Sequence, residues 1–228
     1  MNYNVILIDL DETILDFRFT EKNAHKLTTL EFNIPYRESD YALYHEINDA
    51  LWKDLELGKI TRNELTKVRF ERYLSKIGSS VNPVDFNEGY ITNLSKGKKL
   101  LDGALETLKT LHDRGAKIYI ITNGLKRVQD GRLSGQEFMN YVSGVAISEC
   151  LGNSKPSLEF FNQAEKLFNI KFDKNTVVVG DSLTSDIKGA NNKGLDSIWI
   201  NTFNKVAPEN VTPTYTVSKI EEVLDIIK

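Results

Sequence analysis

Val5-Ile6-Leu7-Ile8-Asp9-Leu10-Asp11-Glu12-Thr13-Ile14-Leu15-Asp16, at residues 5–16, is the stretch that decides the fold. Its four leading apolar residues, three of them β-branched, are typical of a short strand buried on both faces of a parallel sheet. Asp9 and Asp11 follow at the carboxyl end of that strand, where open α/β sheets bind their ligands. Two neighbouring carboxylates repel each other, and a divalent cation relieves that repulsion. The stretch therefore predicts a Mg²⁺ site beside a substrate phosphate, with a solvated acidic turn as the alternative.

Length and composition exclude several classes of protein. The chain has 228 residues and a net charge of −3, which gives no support for binding nucleic acid or an anionic membrane surface. The N-terminal apolar run is too short for a signal peptide, and no stretch is long enough to span a membrane. The single cysteine, Cys150, fits a reducing compartment, so we expect a cytoplasmic protein with Cys150 as a small apolar filler. The three histidines lack metal-ligand spacing and are expected at surface or half-buried positions; they are His25, His45 and His112.

A helical pattern replaces the strand pattern after residue 16. Thr20 is a candidate cap for the first helix, Ser39–Leu57 carries apolar residues at steps of four, and Thr61–Glu64 forms a capping box. Four helices without an intervening strand predict a helical cap domain at residues 17–96, inserted into a core domain of residues 1–16 and 97–228. Because the insertion leaves the ligand-binding edge of the sheet, it is well placed to act as a lid.

Strands and helices alternate in the rest of the chain. Strands are predicted at residues 116–122, 141–148, 176–179 and 196–201, and a capping box at Ser218–Glu221 predicts a C-terminal helix. This alternation is typical of an α/β fold with a doubly wound parallel sheet.

Further polar residues follow the predicted strands. Thr122 offers a hydroxyl, Asn123 and Gly124 offer backbone N–H groups, and Lys155 offers a positive charge before a helix. Taken singly, residues 122–124 are also compatible with a surface turn, Lys155 with a solvated lysine, and Asp181 and Asp186 with an acidic helix cap. One cation, one phosphate and one attacking carboxylate would account for six residues together: Asp9, Asp11, Thr122, Lys155, Asp181 and Asp186.

Four motifs in this order resemble those of the haloacid dehalogenase-like hydrolases. They are Asp9-Leu10-Asp11-Glu12-Thr13, Ile121-Thr122-Asn123, Lys155-Pro156, and Gly180-Asp181-Ser182 with Asp186. The resemblance implies a Rossmann-like core with a helical cap of the family's first type. Finer similarity at residues 58–62 and 180–189 is to the bacterial pyrimidine 5′-nucleotidases that act on noncanonical nucleotides. It implies a small phosphate ester as substrate, foremost a nucleoside monophosphate.

The resemblance also implies a role for each motif residue. Asp9 would be the nucleophile that forms an aspartyl-phosphate, and Asp11 the general acid and then the general base. Mg²⁺, with Mn²⁺ as the alternative, would be held by Asp9, by the main-chain carbonyl of Asp11 and by Asp181, with Asp186 in support. The phosphoryl oxygens would be held by Thr122, Asn123 and Lys155.

Other activities are weighed against this one. A dehalogenase is disfavoured because that branch works without the second aspartate and without metal. A phosphomutase, or a phosphatase for a sugar phosphate or phosphoglycolate, stays open, whereas a phospho-receiver module has no room for the helical insertion. The sequence leaves open a monomer or a homodimer. Cap residues that could contact substrate, although core or surface roles are the default, are Phe17, Arg18, Phe19, Tyr44, Trp52 and Lys59.

Overall fold

A computed structural model describes residues 2–228, and a parallel sheet lies at its centre. The strands in the described residues are β1 (Val5–Ile8), β2 (Lys117–Thr122), β3 (Val142–Ile147), β4 (Thr176–Gly180), β5 (Asp196–Ile200) and β6 (Tyr215–Val217). Their order is β3-β2-β1-β4-β5-β6, and every neighbouring pair is parallel. The order reverses at β1, which makes this strand the switch point where such sheets bind ligands. The predicted doubly wound α/β fold is confirmed.

Helices cover the sheet and form the insertion. They are α1 (Phe17–Glu31), α2 (Glu38–Glu56), α3 (Arg62–Lys76), α4 (Pro83–Leu94), α5 (Ala104–Asp113), α6 (Lys126–Leu133), α7 (Ser148–Leu151), α8 (Leu158–Phe168), α9 (Lys188–Lys193) and α10 (Val223–Ile226). Two short 3₁₀ turns occur at Glu137–Tyr141 and Ile220–Glu222, and a π-helical turn occurs at Leu183–Ile187. None of the helices in residues 2–228 combines the length and apolar character that crossing a membrane requires.

Both faces of the sheet are buried, as the apolar run of β1 predicts. Ile6 and Ile8 pack on one face with Leu108 and Leu111 of α5. On the other face, Leu7 packs in the cluster that contains Phe160 of α8. The register of β1 sets Ile8 opposite Ile120 of β2 and Val179 of β4, so the three strands end within two residues of one another.

The four helices of residues 17–96, called the cap below, have an aromatic core of their own. Tyr44, Phe70, Tyr73, Phe86 and Tyr90 are fully buried there, with ring centroids between 4.9 and 6.3 Å apart in their contacting pairs.

The chain enters and leaves the cap along two paired segments. Asp16 donates its backbone N–H to Lys99 O (2.9 Å), and Leu101 donates its own to Ile14 O (2.9 Å). The division of domains at residues 16/17 and 96/97 stays a prediction.

Some local expectations are wrong. The first helix begins at Phe17, because the Asp16 carboxylate, rather than Thr20, caps it by accepting from Phe19 N (2.9 Å). Ser218 forms no capping box with Glu221; its backbone N–H donates to Glu222 Oε2 (2.9 Å).

Two residues of the composition argument also lie elsewhere than expected. Cys150 is exposed on α7 and fills no core. His25 is fully buried among the tyrosines of the cap, stacked on Tyr44 with ring centroids 4.9 Å apart.

Candidate active site

Three strands deliver acidic and hydroxyl side chains to one place. Asp9 follows β1, Thr122 ends β2, and Asp181 follows β4. The backbone N–H of Asp9 donates to Val179 O (2.9 Å), which extends the β1–β4 pairing as far as the carboxylate-bearing residue. The neighbouring ends of the three strands therefore bring the sequence-predicted residues of three motifs together at the switch point.

Lys155 supplies a buried positive charge at this point. It lies between α7 and α8, and its Nζ donates to Asp9 Oδ1 (2.5 Å), Asp186 Oδ1 (2.6 Å) and Ile121 O (2.8 Å). Burial alone would lower the pKa of Lys155, but the carboxylates of Asp186 and Asp9 raise it above its ordinary value. The lysine is therefore a permanent cation between two acids.

Asn123 fixes the loop that carries Lys155. Its side-chain amide donates to Lys155 O (2.9 Å), and its Oδ1 accepts from Lys155 N (2.9 Å). The Asn123 side chain is thus occupied in joining the ends of two motifs. Only the backbone N–H of Asn123 would then be available to contact a phosphate.

Asp186 approaches the backbone of β4 so closely that glycine is required there. It lies in the π-helical turn, is fully buried, and accepts through Oδ2 from Ser182 N (3.1 Å). A Cβ on Gly180 would lie 2.3 Å from Asp186 Oδ2. The Gly-Asp motif is therefore a packing requirement as well as a source of carboxylates.

Asp9, Asp181 and Asp186 form a cluster that suits a hard cation. One carboxylate oxygen from each lies within 4.8 Å of the others. Burial raises the pKa of Asp9 to about 8 despite Lys155, and burial, then Asp186 and Asp9, raise the pKa of Asp181 well above its ordinary value. Carboxylate oxygens are the ligands that Mg²⁺ prefers, and a bound divalent cation would return both groups to their ionised forms. These residues therefore fit the metal that the sequence predicts.

The side chain of Asp11 lies outside this cluster. Its Oδ1 is ion-paired with Arg132 Nη1, and its Oδ2 accepts from Gln129 Nε2 (2.9 Å). Gln129 Nε2 also donates to Thr122 Oγ1 (2.9 Å). Asp11 is thus linked to Thr122 through Gln129 of α6, while its carboxylate is not part of the three-carboxylate group found in residues 2–228.

Sequence reasoning missed Gln129 and Arg132. Both are fully buried, although α6 reads Lys-Arg-Val-Gln-Asp-Gly-Arg-Leu and lacks an apolar stripe. Their spacing of three residues places them on one helix face, which is the only sequence signal for a shared role.

A cavity of about 660 Å³ joins these residues to the cap. That volume is within the range of small-molecule sites, roughly 300–1,000 Å³. Of the cap residues considered from sequence, Phe17, Arg18 and Trp52 line it.

The remaining cap candidates lie elsewhere. Phe19 is 48% exposed with Lys99 over its ring, and Lys59 pairs with Asp54 at 3.0 Å. Tyr44 belongs to the aromatic core of the cap.

Comparisons with known proteins show the family to which the chain belongs. Residues 3–194 match the family model described as haloacid dehalogenase-like hydrolase. The chain is 35% identical to the pyrimidine 5′-nucleotidase PynA of Streptococcus pneumoniae, covering 100% of this chain and 96% of that protein. It is 31% identical to the pyrimidine 5′-nucleotidase YjjG of Escherichia coli, covering 100% and 99%.

A solved structure shows the same architecture. The HAD-hydrolase YfnB of Bacillus subtilis, in a crystal structure with bound magnesium, superposes with a TM-score of 0.94 at 34% identity over 100% of both chains. The motifs at the switch point, the match of the family model and these full-length similarities place the chain in the haloacid dehalogenase-like hydrolase family.

Proposed function

We propose that this protein is a Mg²⁺-dependent phosphatase that works through an aspartyl-phosphate at Asp9, with pyrimidine nucleoside 5′-monophosphates as substrates. The observation that carries the proposal is Lys155, a buried cation held between Asp9 and Asp186 at the switch point of the sheet. A carboxylate can attack an anionic phosphate only where positive charge offsets their repulsion.

The chemistry divides into two displacements at phosphorus. In the first, an Asp9 carboxylate oxygen attacks, the phosphorus–ester oxygen bond breaks, and Asp11 gives its proton to the departing alcohol. In the second, water attacks phosphorus and Asp11 takes a proton from that water. The bond between phosphorus and the Asp9 oxygen breaks, which releases inorganic phosphate and regenerates the Asp9 carboxylate. The two carboxylates lie in different surroundings: Asp9 belongs to the three-carboxylate group and contacts Lys155, whereas Asp11 lies outside that group and contacts Arg132.

Mg²⁺ would supply positive charge that stabilises the phosphoryl oxygens and orients the phosphate. Asp9, Asp181 and Asp186 are the side chains that would hold it, with the Asp11 main-chain carbonyl as a further ligand. Thr122, Lys155 and the Asn123 backbone would hold the phosphoryl oxygens. Preferred metal, cytoplasmic location, and a monomer or homodimer stay predictions.

Two observations support a nucleotide as substrate. The relatives PynA and YjjG, both named pyrimidine 5′-nucleotidases, are similar over the full length of this chain. The cavity continues from Asp9 into the cap, where Phe17 and Trp52 offer aromatic surface to a base. Stacking of this kind is worth about 1–3 kcal/mol per base, which corresponds to roughly one to two decades of preference.

The substrate proposal is tested by comparing kcat/KM for dUMP, dTMP and UMP with values for AMP, phosphoglycolate and a hexose phosphate. We expect the pyrimidine nucleotides to lead. A hexose phosphate or phosphoglycolate ahead by about tenfold or more would leave only the general phosphatase proposal standing.

A further inference from the structure

A second group of polar side chains lines the cavity at its cap end. Glu21 of α1, Asn48 of α2 and Arg69 of α3 border the same space as Asp9 and Lys155. Each is almost completely buried, with exposed fractions of 0%, 3% and 2%. Buried polar groups carry a desolvation cost, so their hydrogen-bond partners indicate what the site is built to meet.

Glu21 determines the orientation of Asn48. Its Oε1 accepts from Asn48 Nδ2 (2.8 Å), and its Oε2 accepts from Tyr41 Oη (3.1 Å) and contacts His45 Nδ1 (2.7 Å). Because the amide nitrogen of Asn48 faces the carboxylate, its Oδ1 is the end that remains as an acceptor. Within residues 2–228 that oxygen meets a single donor, Arg69 Nη1, at 3.5 Å, which is the outer limit of a hydrogen bond.

Arg69 is a buried cation with unused donors. Its Nε and Nη2 donate to Asn87 Oδ1 (3.2 and 2.7 Å), and its guanidinium lies 4.9 Å from the ring centroids of both Phe70 and Tyr90. Among the described residues 2–228, no carboxylate lies within 4.0 Å of its nitrogens. A guanidinium has five N–H donors, so these contacts leave donors for a ligand in the cavity.

We propose that Arg69 and Asn48 form the subsite that recognises the hydrogen-bonding edge of the base. Arg69 donates to a ring carbonyl, and Asn48 Oδ1 accepts from the neighbouring ring N–H. The donor and acceptor stand side by side, which complements the adjacent acceptor and donor of a uracil edge. This inference rests on the proposed function, because it takes the phosphate to lie against Lys155 at the other end of the cavity.

The test uses three substrates that differ only at the base: UMP, 3-methyluridine 5′-monophosphate, which lacks the ring N–H, and ribose 5-phosphate, which lacks the base. Asn48→Ala is compared with Asn93→Ala, a matched control. Asn93 is also a buried cap asparagine, bonded to Thr28 and Glu31, and lies outside the cavity lining.

We expect the wild-type enzyme to prefer UMP to both other esters. Asn48→Ala should lower kcat/KM for UMP by roughly ten- to hundredfold, since a buried donor loses its partner, and should no longer distinguish UMP from its 3-methyl analogue. The ratio of its kcat/KM for UMP to that for ribose 5-phosphate should fall by the same factor, whereas Asn93→Ala should keep the wild-type ratios.

If Asn48→Ala loses activity on ribose 5-phosphate through misfolding, Arg69→Lys decides, because it keeps the charge and loses the planar fork. It should lower the UMP to ribose 5-phosphate ratio in the same way. If both variants fold and keep the wild-type preference for UMP, the inference about Asn48 and Arg69 is overturned and the nucleotidase proposal stands. A wild-type enzyme that treats UMP and ribose 5-phosphate alike would overturn the nucleotidase proposal and this inference with it.

Discussion

Replacement of Lys155 by methionine separates the electrostatic role of this residue from its packing. The methionine keeps the length of the side chain and removes its charge. Asp9 and Asp186 then face each other without the cation that now lies 2.5 Å from one and 2.6 Å from the other. Both carboxylates are largely buried, at 7% and 0% exposure, so solvent screens the lost charge only weakly.

The expected cost follows from that burial. Removing one partner of a buried ion pair destabilises a protein by about 3–5 kcal/mol. For a chain of this length each kcal/mol shifts the melting temperature by about 2–4 °C, so Lys155→Met should melt on the order of 10 °C lower in metal-free buffer. Saturating Mg²⁺ should stabilise the variant more than the wild type, because the acidic cluster has lost its internal counter-charge.

Lys59→Met is the control in a thermal melt followed by circular dichroism. Lys59 pairs with Asp54 at 3.0 Å, but the two side chains are 61% and 39% exposed, so its loss should cost under about 1 kcal/mol. Lys155→Met combined with Asp186→Asn should recover about 0.5–3 kcal/mol of the single variant's loss, since one stranded carboxylate is gone. Equal melting temperatures for the two single lysine variants, or a double variant that is additively worse, would refute the electrostatic explanation.

Three further predictions concern metal, proton transfer and pH. Incubation with EDTA should abolish phosphatase activity and added Mg²⁺ should restore it; full activity in the metal-free enzyme would rule out a metal-dependent site at Asp9, Asp181 and Asp186. Asp11→Asn should slow the hydrolysis of an alkyl phosphate by about 10²–10⁴-fold and that of an aryl phosphate much less, because a phenolate needs little protonation on leaving. Equal losses of rate on the two esters would contradict the acid role of Asp11. Burial lowers the pKa of His25 from 6.5 to about 4, so the unfolded chain takes up a proton between these values that the folded chain does not. The contribution of His25 to the free energy of unfolding is therefore complete above pH 6.5, and about 3 kcal/mol of it is lost as the pH drops towards 4. His25→Leu should remove this dependence on pH, which urea titrations at stepped pH would measure.

The sheet and the motif residues on it are predictable because their signals are local. A continuous apolar run followed by acidic residues predicts β1 and the position of Asp9. Apolar runs that end in polar residues likewise predict β2 with Thr122 and β4 with Asp181. Parallel pairing then brings these residues together without further information, because all three strands end at one edge.

The partners of Asp11 are not predictable in this way. Arg132 lies 121 residues along the chain from Asp11 and is fully buried, against the usual exposure of arginine. Its position depends on how α6 packs between the sheet and the cap.

Arg69 poses the same difficulty. It lies in α3, which is rich in charged residues, so the sequence predicts an exposed arginine. Only the fold shows that Arg69 is buried and lines a cavity. The exposure of Cys150 on the short α7 likewise follows from packing and not from residue type.

The covalent step at Asp9 is tested most directly by trapping the acyl phosphate. The Asp11→Asn variant, whose phosphoenzyme lacks its general base and should accumulate, is mixed with a reactive aryl phosphate, quenched in acid and reduced with borohydride. An aspartyl-phosphate is converted by this treatment to homoserine, which peptide mass spectrometry assigns to a position. We predict homoserine at position 9, in step with a burst of released phenol. A burst of phenol that leaves Asp9 unmodified would contradict the covalent mechanism at this residue.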